Sequence, residues 1–184
     1  MGTARRIYKN TLYLGTAEIV SRVLQFVVML YAARSLGIDD FGKFSFALSL
    51  SLIGLVLADL GINYLLIREI SRNKSLASKY FANAFSAKVL LSAAAFAAIV
   101  IALNILNYPQ DTRQIVYIIW AFAILSTFTE LFYSIFRAFE MMQYDAFLKI
   151  LRMGLLTVSS LYVLFRGYGI FAFSYTFVFA ELAV

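Results

Sequence analysis

The sequence predicts an all-α integral membrane protein with about six transmembrane helices, the sixth of them cut short. Three observations carry that expectation. Of 184 residues, 62% are hydrophobic and 14% charged, with a mean hydropathy of +0.83, whereas soluble domains are only about half apolar. Apolar runs long enough to cross about 30 Å of hydrocarbon recur along the chain. The polar connections between them are short, and basic residues crowd every second one.

Taken in order, the spans are expected near 10–36, 41–70, 80–106, 115–139, 147–165 and 170–184. Turn-forming residues separate them: Gly37 with Asp39 and Asp40, then Asn73 with Ser75, then Asn107 to Asp111 around the only proline, Pro109, and finally Gly167 and Gly169. The runs are too long and too poorly alternating for barrel strands, and lipid admits only helices or closed barrels. The last run has room for about 22 Å of helix. The chain is therefore expected to end inside a membrane helix and to be part of a longer protein.

Arg5, Arg6 and Lys9 precede the first span; Arg68, Arg72, Lys74 and Lys79 surround the second connection; Arg137, Lys149 and Arg152 flank the fourth. The other connections carry Asp39, Asp40 and Lys43, then Asp111 with Arg113, then Arg166. Basic residues mark the cytoplasmic side, so the N-terminus is expected there, in the cytoplasmic (inner) membrane. Arg137, Lys149 and Arg152 are accordingly read as snorkelling residues and topology signals. The net charge of +6 sits at span ends, which argues against a nucleic-acid partner. With neither cysteine nor histidine, thiolate chemistry and the usual neutral-pH base are excluded. No cofactor or metal is expected.

Ionisable residues at bilayer depth are costly and face bundle interiors or wet cavities. Thr11, Gly15, Glu18, Arg22 and Gln25 form one polar stripe on the first span, while Ser45, Ser49, Asp59 and Asn63 share a face of the second. Lys88 lies on the third span and Glu130 on the fourth. The fifth carries Asp145, Lys149, Arg152 and Ser159, and the sixth carries Ser174 and Glu181. One reading is a hydrated cavity in which Arg22, Lys88, Gln25 and Asn63 receive an anionic substrate. In it Glu18, Asp59 and Glu130 balance charge or couple a cation. The other is a set of internal ties, Glu18 with Arg22 and Asp59 with Lys88. Ala93 to Ala98 offer a surface for close helix packing. Tyr8, Tyr80, Tyr108 and Tyr144 suit interface anchors, and Phe171, Phe173, Phe177 and Phe179 a lipid-facing or packing surface.

The segment Tyr31-Ala32-Ala33-Arg34-Ser35-Leu36-Gly37-Ile38-Asp39-Asp40-Phe41-Gly42-Lys43-Phe44-Ser45-Phe46 resembles the first-hairpin signature of polysaccharide-repeat-unit flippases. So do Asp59-Leu60-Gly61-Ile62 and Leu66-Ile67-Arg68-Glu69-Ile70, in the same order and spacing. These flippases share a superfamily with multidrug and toxin extruders and often carry proline where this chain has Ile38. Gly37 and Gly42 would permit the turn, and Gly61 a close approach beside Asp59. Arg34, Gly37, Gly42, Gly61, Arg68 and Glu69 belong to the motif and read as mainly structural.

The resemblance implies the N-terminal lobe of a two-lobe, alternating-access flippase, a transporter and not an enzyme, whose C-terminal lobe is absent. Its cargo in polysaccharide biosynthesis would be a polyprenyl-pyrophosphate-linked oligosaccharide, with Arg22 and Lys88 meeting the pyrophosphate. Partners would be membrane lipids, the lipid-linked oligosaccharide and the other lobe. A multidrug or cation extruder, which needs a net acidic cavity, is the nearest alternative. A membrane-embedded glycosyltransferase using Asp39 and Asp40 is a more distant one, because their loop is only a few residues long.

Overall fold

The structure, a computed structural model, describes the backbone of residues 3–184 and the side chains from Tyr8 onward. Arg5 and Arg6, assigned above to the cytoplasmic terminus, lie outside the described side chains.

Helix α1 spans Thr3–Asp59 but is broken at Gly37, whose backbone (φ 79, ψ 172) lies in a region essentially closed to other residues. The break divides α1 into two limbs that double back. Gln25 of the first limb and Leu48 and Leu52 of the second line one cavity, and Val28, Ala32, Phe44 and Ala47 share one core. Gly42 is helical, with open space where a Cβ would stand. The turn therefore rests on Gly37 alone, a correction to the paired-glycine expectation.

The second limb stops at Asp59. Leu60 (φ 43) and Gly61 (φ 82) both leave the helical region, so the single span expected over 41–70 is two elements. Helix α2 (Ile62–Arg72) follows as a short amphipathic piece. The Asn73 side chain then accepts from the Ser75 amide at 3.1 Å, and a single 3-10 turn, Lys74–Leu76, leads into α3 (Ala77–Ile105). Helix α4 (Gln110–Ala138) begins directly after Pro109, with Asp111 in its first turn, where an acid favours the helix dipole. Helix α5 (Met142–Phe165) and α6 (Gly169–Leu182) are joined through Gly167 (φ 70) and Gly169 (φ 79).

The protein is all-α, with no strand among the described residues. Four stretches are long and apolar enough to cross a membrane: 8–72, which contains both limbs and α2, Lys74–Ile105, Gln110–Ala138 and Met142–Phe165. Helix α6 is apolar but has only 14 residues. Side chains such as Ile19, Val23 and Phe26 on the first limb and Val158, Tyr162 and Phe165 on α5 stay exposed. They form apolar stripes of the kind lipid covers.

The main core joins all the long helices. Phe44 packs on Phe173 at 4.8 Å and Phe177 at 5.3 Å between ring centroids. Helix α6 thus divides, with Phe173 and Phe177 buried and Phe171 and Phe179 outward. Helices approach closely at Gly54, where a Cβ would stand 2.2 Å from the Trp120 ring. Nothing comes within 4 Å of a Cβ at Gly61, so that glycine serves backbone conformation and not close approach. Of the alanines between 93 and 98, only Ala95 is buried. The alanine run is therefore largely outer surface. A second, smaller core gathers Leu66, Ile70, Ala84, Leu131 and Ala138 where α2 meets α3 and α4.

Candidate functional site

Charged side chains inside the bundle fall into groups of different character. On the first limb Glu18 and Arg22 are one turn apart and joined at 2.7 Å. Lys149 reaches across from α5 to the other oxygen of Glu18, also at 2.7 Å. One carboxylate thus faces two cations. The Arg22 side chain is 76% exposed, against 21% for Lys149, so the surplus positive charge is presented on the open face of the first limb. No other acid stands beside Glu18 among the ion pairs described.

Lys88 is the opposite case. Its side chain is fully buried; Nζ lies 2.7 Å from Asp59 Oδ1 and donates to the Thr127 carbonyl at 3.0 Å and the Thr127 hydroxyl at 2.8 Å. Of the three protons an ammonium can donate, two go to Thr127, and Asp59 supplies the counter-charge. Lys88 ties the end of the second limb to α3 and α4, and in this conformation it has no reach to an open cavity. Both internal ties named in the sequence, Glu18 with Arg22 and Asp59 with Lys88, are formed.

A third group links α4, α5 and α6. Arg137 donates to the fully buried Asp145 at 2.5 Å and to Glu130 at 3.2 Å. Arg152 pairs with Glu181, whose second oxygen accepts from the Thr129 hydroxyl at 3.0 Å. Arg137, Lys149 and Arg152 therefore do not snorkel; each is turned inward onto a carboxylate. For Arg137 and Arg152 the physical reason is the fully buried Asp145 and Glu181, which are costly without a partner. The i, i+4, i+7 spacing of Asp145, Lys149 and Arg152 puts them on one face of α5, but local spacing does not say which helix that face meets. Asp145, Glu181, Thr127 and Thr129 are the partners that sequence reasoning left unassigned.

Gln25, Ser126, Arg152 and Glu181 share a cavity of about 250 Å³ with apolar walls that include Leu52 and Phe177. Asn63 is not part of it. It sits one turn past Asp59, beyond the Leu60 and Gly61 break, with a buried Oδ1 that has no partner. Arg34 is exposed near the turn, and Glu69 takes Arg68 at 2.8 Å and Arg72 at 4.0 Å in ion pairs confined to α2.

A family model described as "Polysaccharide biosynthesis protein" matches residues 7–184. The chain belongs to that family. The match runs through the hairpin around Gly37 and every charged group just described. The resemblance carried by the first hairpin and the match over the whole chain agree. Searches of curated proteins and of solved structures give no match. Among the described residues, the Glu18, Arg22 and Lys149 group and the cavity beside Gln25 leave charged and amide side chains accessible on the bundle.

Proposed function

We propose that this polysaccharide biosynthesis protein exports lipid-linked oligosaccharide repeat units. It would flip their head groups from the cytoplasmic to the outer leaflet by alternating access, as the N-terminal lobe of a transporter and without catalysing a covalent step. The observation that carries the reading is the uneven group at Glu18, where two cations share one carboxylate and Arg22 stands 76% exposed on an otherwise apolar limb. A pyrophosphate needs such a place. A guanidinium binds phosphate oxygens bidentately, and the attraction strengthens away from bulk water.

An arriving anion takes the exposed side of Arg22 while Glu18 keeps Lys149, so no cation is left buried and alone. Glu18 and Asp59 act as counter-charges, Glu130 steadies Arg137, and Gln25 offers an amide to the sugar at the cavity wall. The polyprenyl chain stays in lipid, against the exposed apolar stripes of the first limb. Lys88 serves as a tie in this scheme, and Arg22 takes the pyrophosphate role with Lys149 behind it.

A drug or cation extruder of the same superfamily would need acid free to hold an organic cation. Glu18, Asp59, Glu130, Asp145 and Glu181 are each paired with Lys or Arg, which favours the anionic cargo. The test is flipping of a polyprenyl-pyrophosphate-linked oligosaccharide by the complete gene product in proteoliposomes. Arg22→Gln is expected to slow it about tenfold to a hundredfold, the equivalent of one charged hydrogen-bond pair. Flipping at the normal rate by that variant would overturn the assignment.

A further inference from the structure

Helix α2 carries a surface that the transport scheme does not use. Its buried stripe, Leu66 and Ile70, packs along the last turns of α4, where Ala138 accepts a 3.4 Å hydrogen bond from Ser71. The opposite ridge is Tyr64, Arg68 and Arg72, at i, i+4 and i+8 and therefore in line along the helix. All three are exposed, at 78% for Tyr64 and 62% and 71% for the two arginine side chains. Tyr64 and its exposed neighbour Leu65 form the apolar end of the ridge, nearest the membrane-spanning limb; the arginines lie one and two turns further on.

The exposed Lys74 and Lys79 continue the basic surface past the helix, with Lys74 lying 5.3 Å over the Phe139 ring. The sole acid on α2 is Glu69, which already serves both arginines. The opposite end of the bundle mixes its charges: Asp39, Asp40 and Asp111 stand among Lys43, Arg113 and Arg166. An aromatic and aliphatic pair at the hydrocarbon edge followed by a line of cations matches, in order and in sign, the boundary between acyl chains and anionic head groups.

We propose that the ridge of Tyr64, Arg68 and Arg72, extended by Lys74 and Lys79, is a binding surface for anionic phospholipid head groups of the adjacent leaflet. Tyr64 and Leu65 seat in the acyl boundary, and the cations engage lipid phosphates. The break at Leu60 and Gly61 sets the angle at which α2 meets that layer. Lipid charge thereby bears on the same end of the second limb that Lys88 ties through Asp59.

The experiment uses the complete gene product in dodecylmaltoside micelles, with phosphatidylglycerol or phosphatidylcholine added and the thermal unfolding midpoint recorded. Phosphatidylglycerol is expected to raise the midpoint and phosphatidylcholine to leave it. The phosphatidylglycerol needed for half the effect should rise about fivefold for each cation removed in Arg68→Gln, Arg72→Gln and Lys74→Gln. Raising salt from 50 to 500 mM (about three times shorter screening length) should weaken the wild-type effect in the same way; this arm stands even if a variant folds poorly. Equal responses to the two lipids would overturn the proposal and leave the ridge to an acidic protein surface. So would a triple variant that responds like wild type, or a shift reproduced by sodium pyrophosphate alone, which would mark a free-phosphate site.

Discussion

Lys88 and Arg22 are both basic residues inside apolar helices, and the structure uses them in opposite ways. Lys88 has no exposed surface, donates twice to Thr127 and faces the Asp59 carboxylate at 2.7 Å. Arg22 shares one carboxylate with Lys149 and keeps most of its side chain open. The difference follows from their neighbours. Lys88 lies fully buried between Asp59 and Thr127, and the second limb and α4 also close tightly at Gly54, where a methyl group would strike Trp120, whereas the stripe on the first limb borders an open face. A membrane charge is thus a strut where helices close over it and stays accessible where they do not.

Breaking the strut should have the largest effect. Lys88→Met leaves Asp59 without its cation and should cost roughly 3 kcal/mol, seen as a fall in unfolding midpoint and in membrane abundance. Asp59→Leu added to Lys88→Met should recover most of the loss, because an apolar replacement of the whole pair is often neutral. Failure of that rescue would mean the pair does more than tie helices. Gly54→Ala probes the shielding itself: overpacking against Trp120 should cost about 2 kcal/mol by the same measurement.

The open group should respond weakly in stability. Glu18→Gln removes the partner of both cations in a partly exposed site and should change the midpoint by less than about 1 kcal/mol. It should nevertheless tighten binding of an anionic lipid-linked head group, as measured by titration, since the competing carboxylate is gone. Weaker binding would show that Glu18 positions Arg22 and does not compete for it.

Much of this division was readable beforehand, and its limits are physical. Length and hydropathy suffice for an all-helical membrane bundle, and the Gly37 turn could be placed because only glycine accepts that backbone. The break after Asp59 escaped notice because Leu60 takes a positive φ that its residue type does not advertise. The stripe of Glu18, Arg22 and Gln25 was visible because its spacing is local. The inward turn of Arg137, Lys149 and Arg152 was not, because it depends on which helices face each other: Lys149 and Glu18 are 131 residues apart. Burial of Lys88 likewise required knowing that Thr127 lies opposite it.

The most direct test sets the two basic residues side by side in one host. The complete gene product carrying Arg22→Gln or Lys88→Met is assayed for membrane abundance and for polysaccharide export normalised to that abundance. Arg22→Gln should leave abundance at the wild-type level and lose export. Lys88→Met should lose abundance while the protein that remains exports. Normal export by Arg22→Gln, or loss of its abundance in place of its export, would contradict the account.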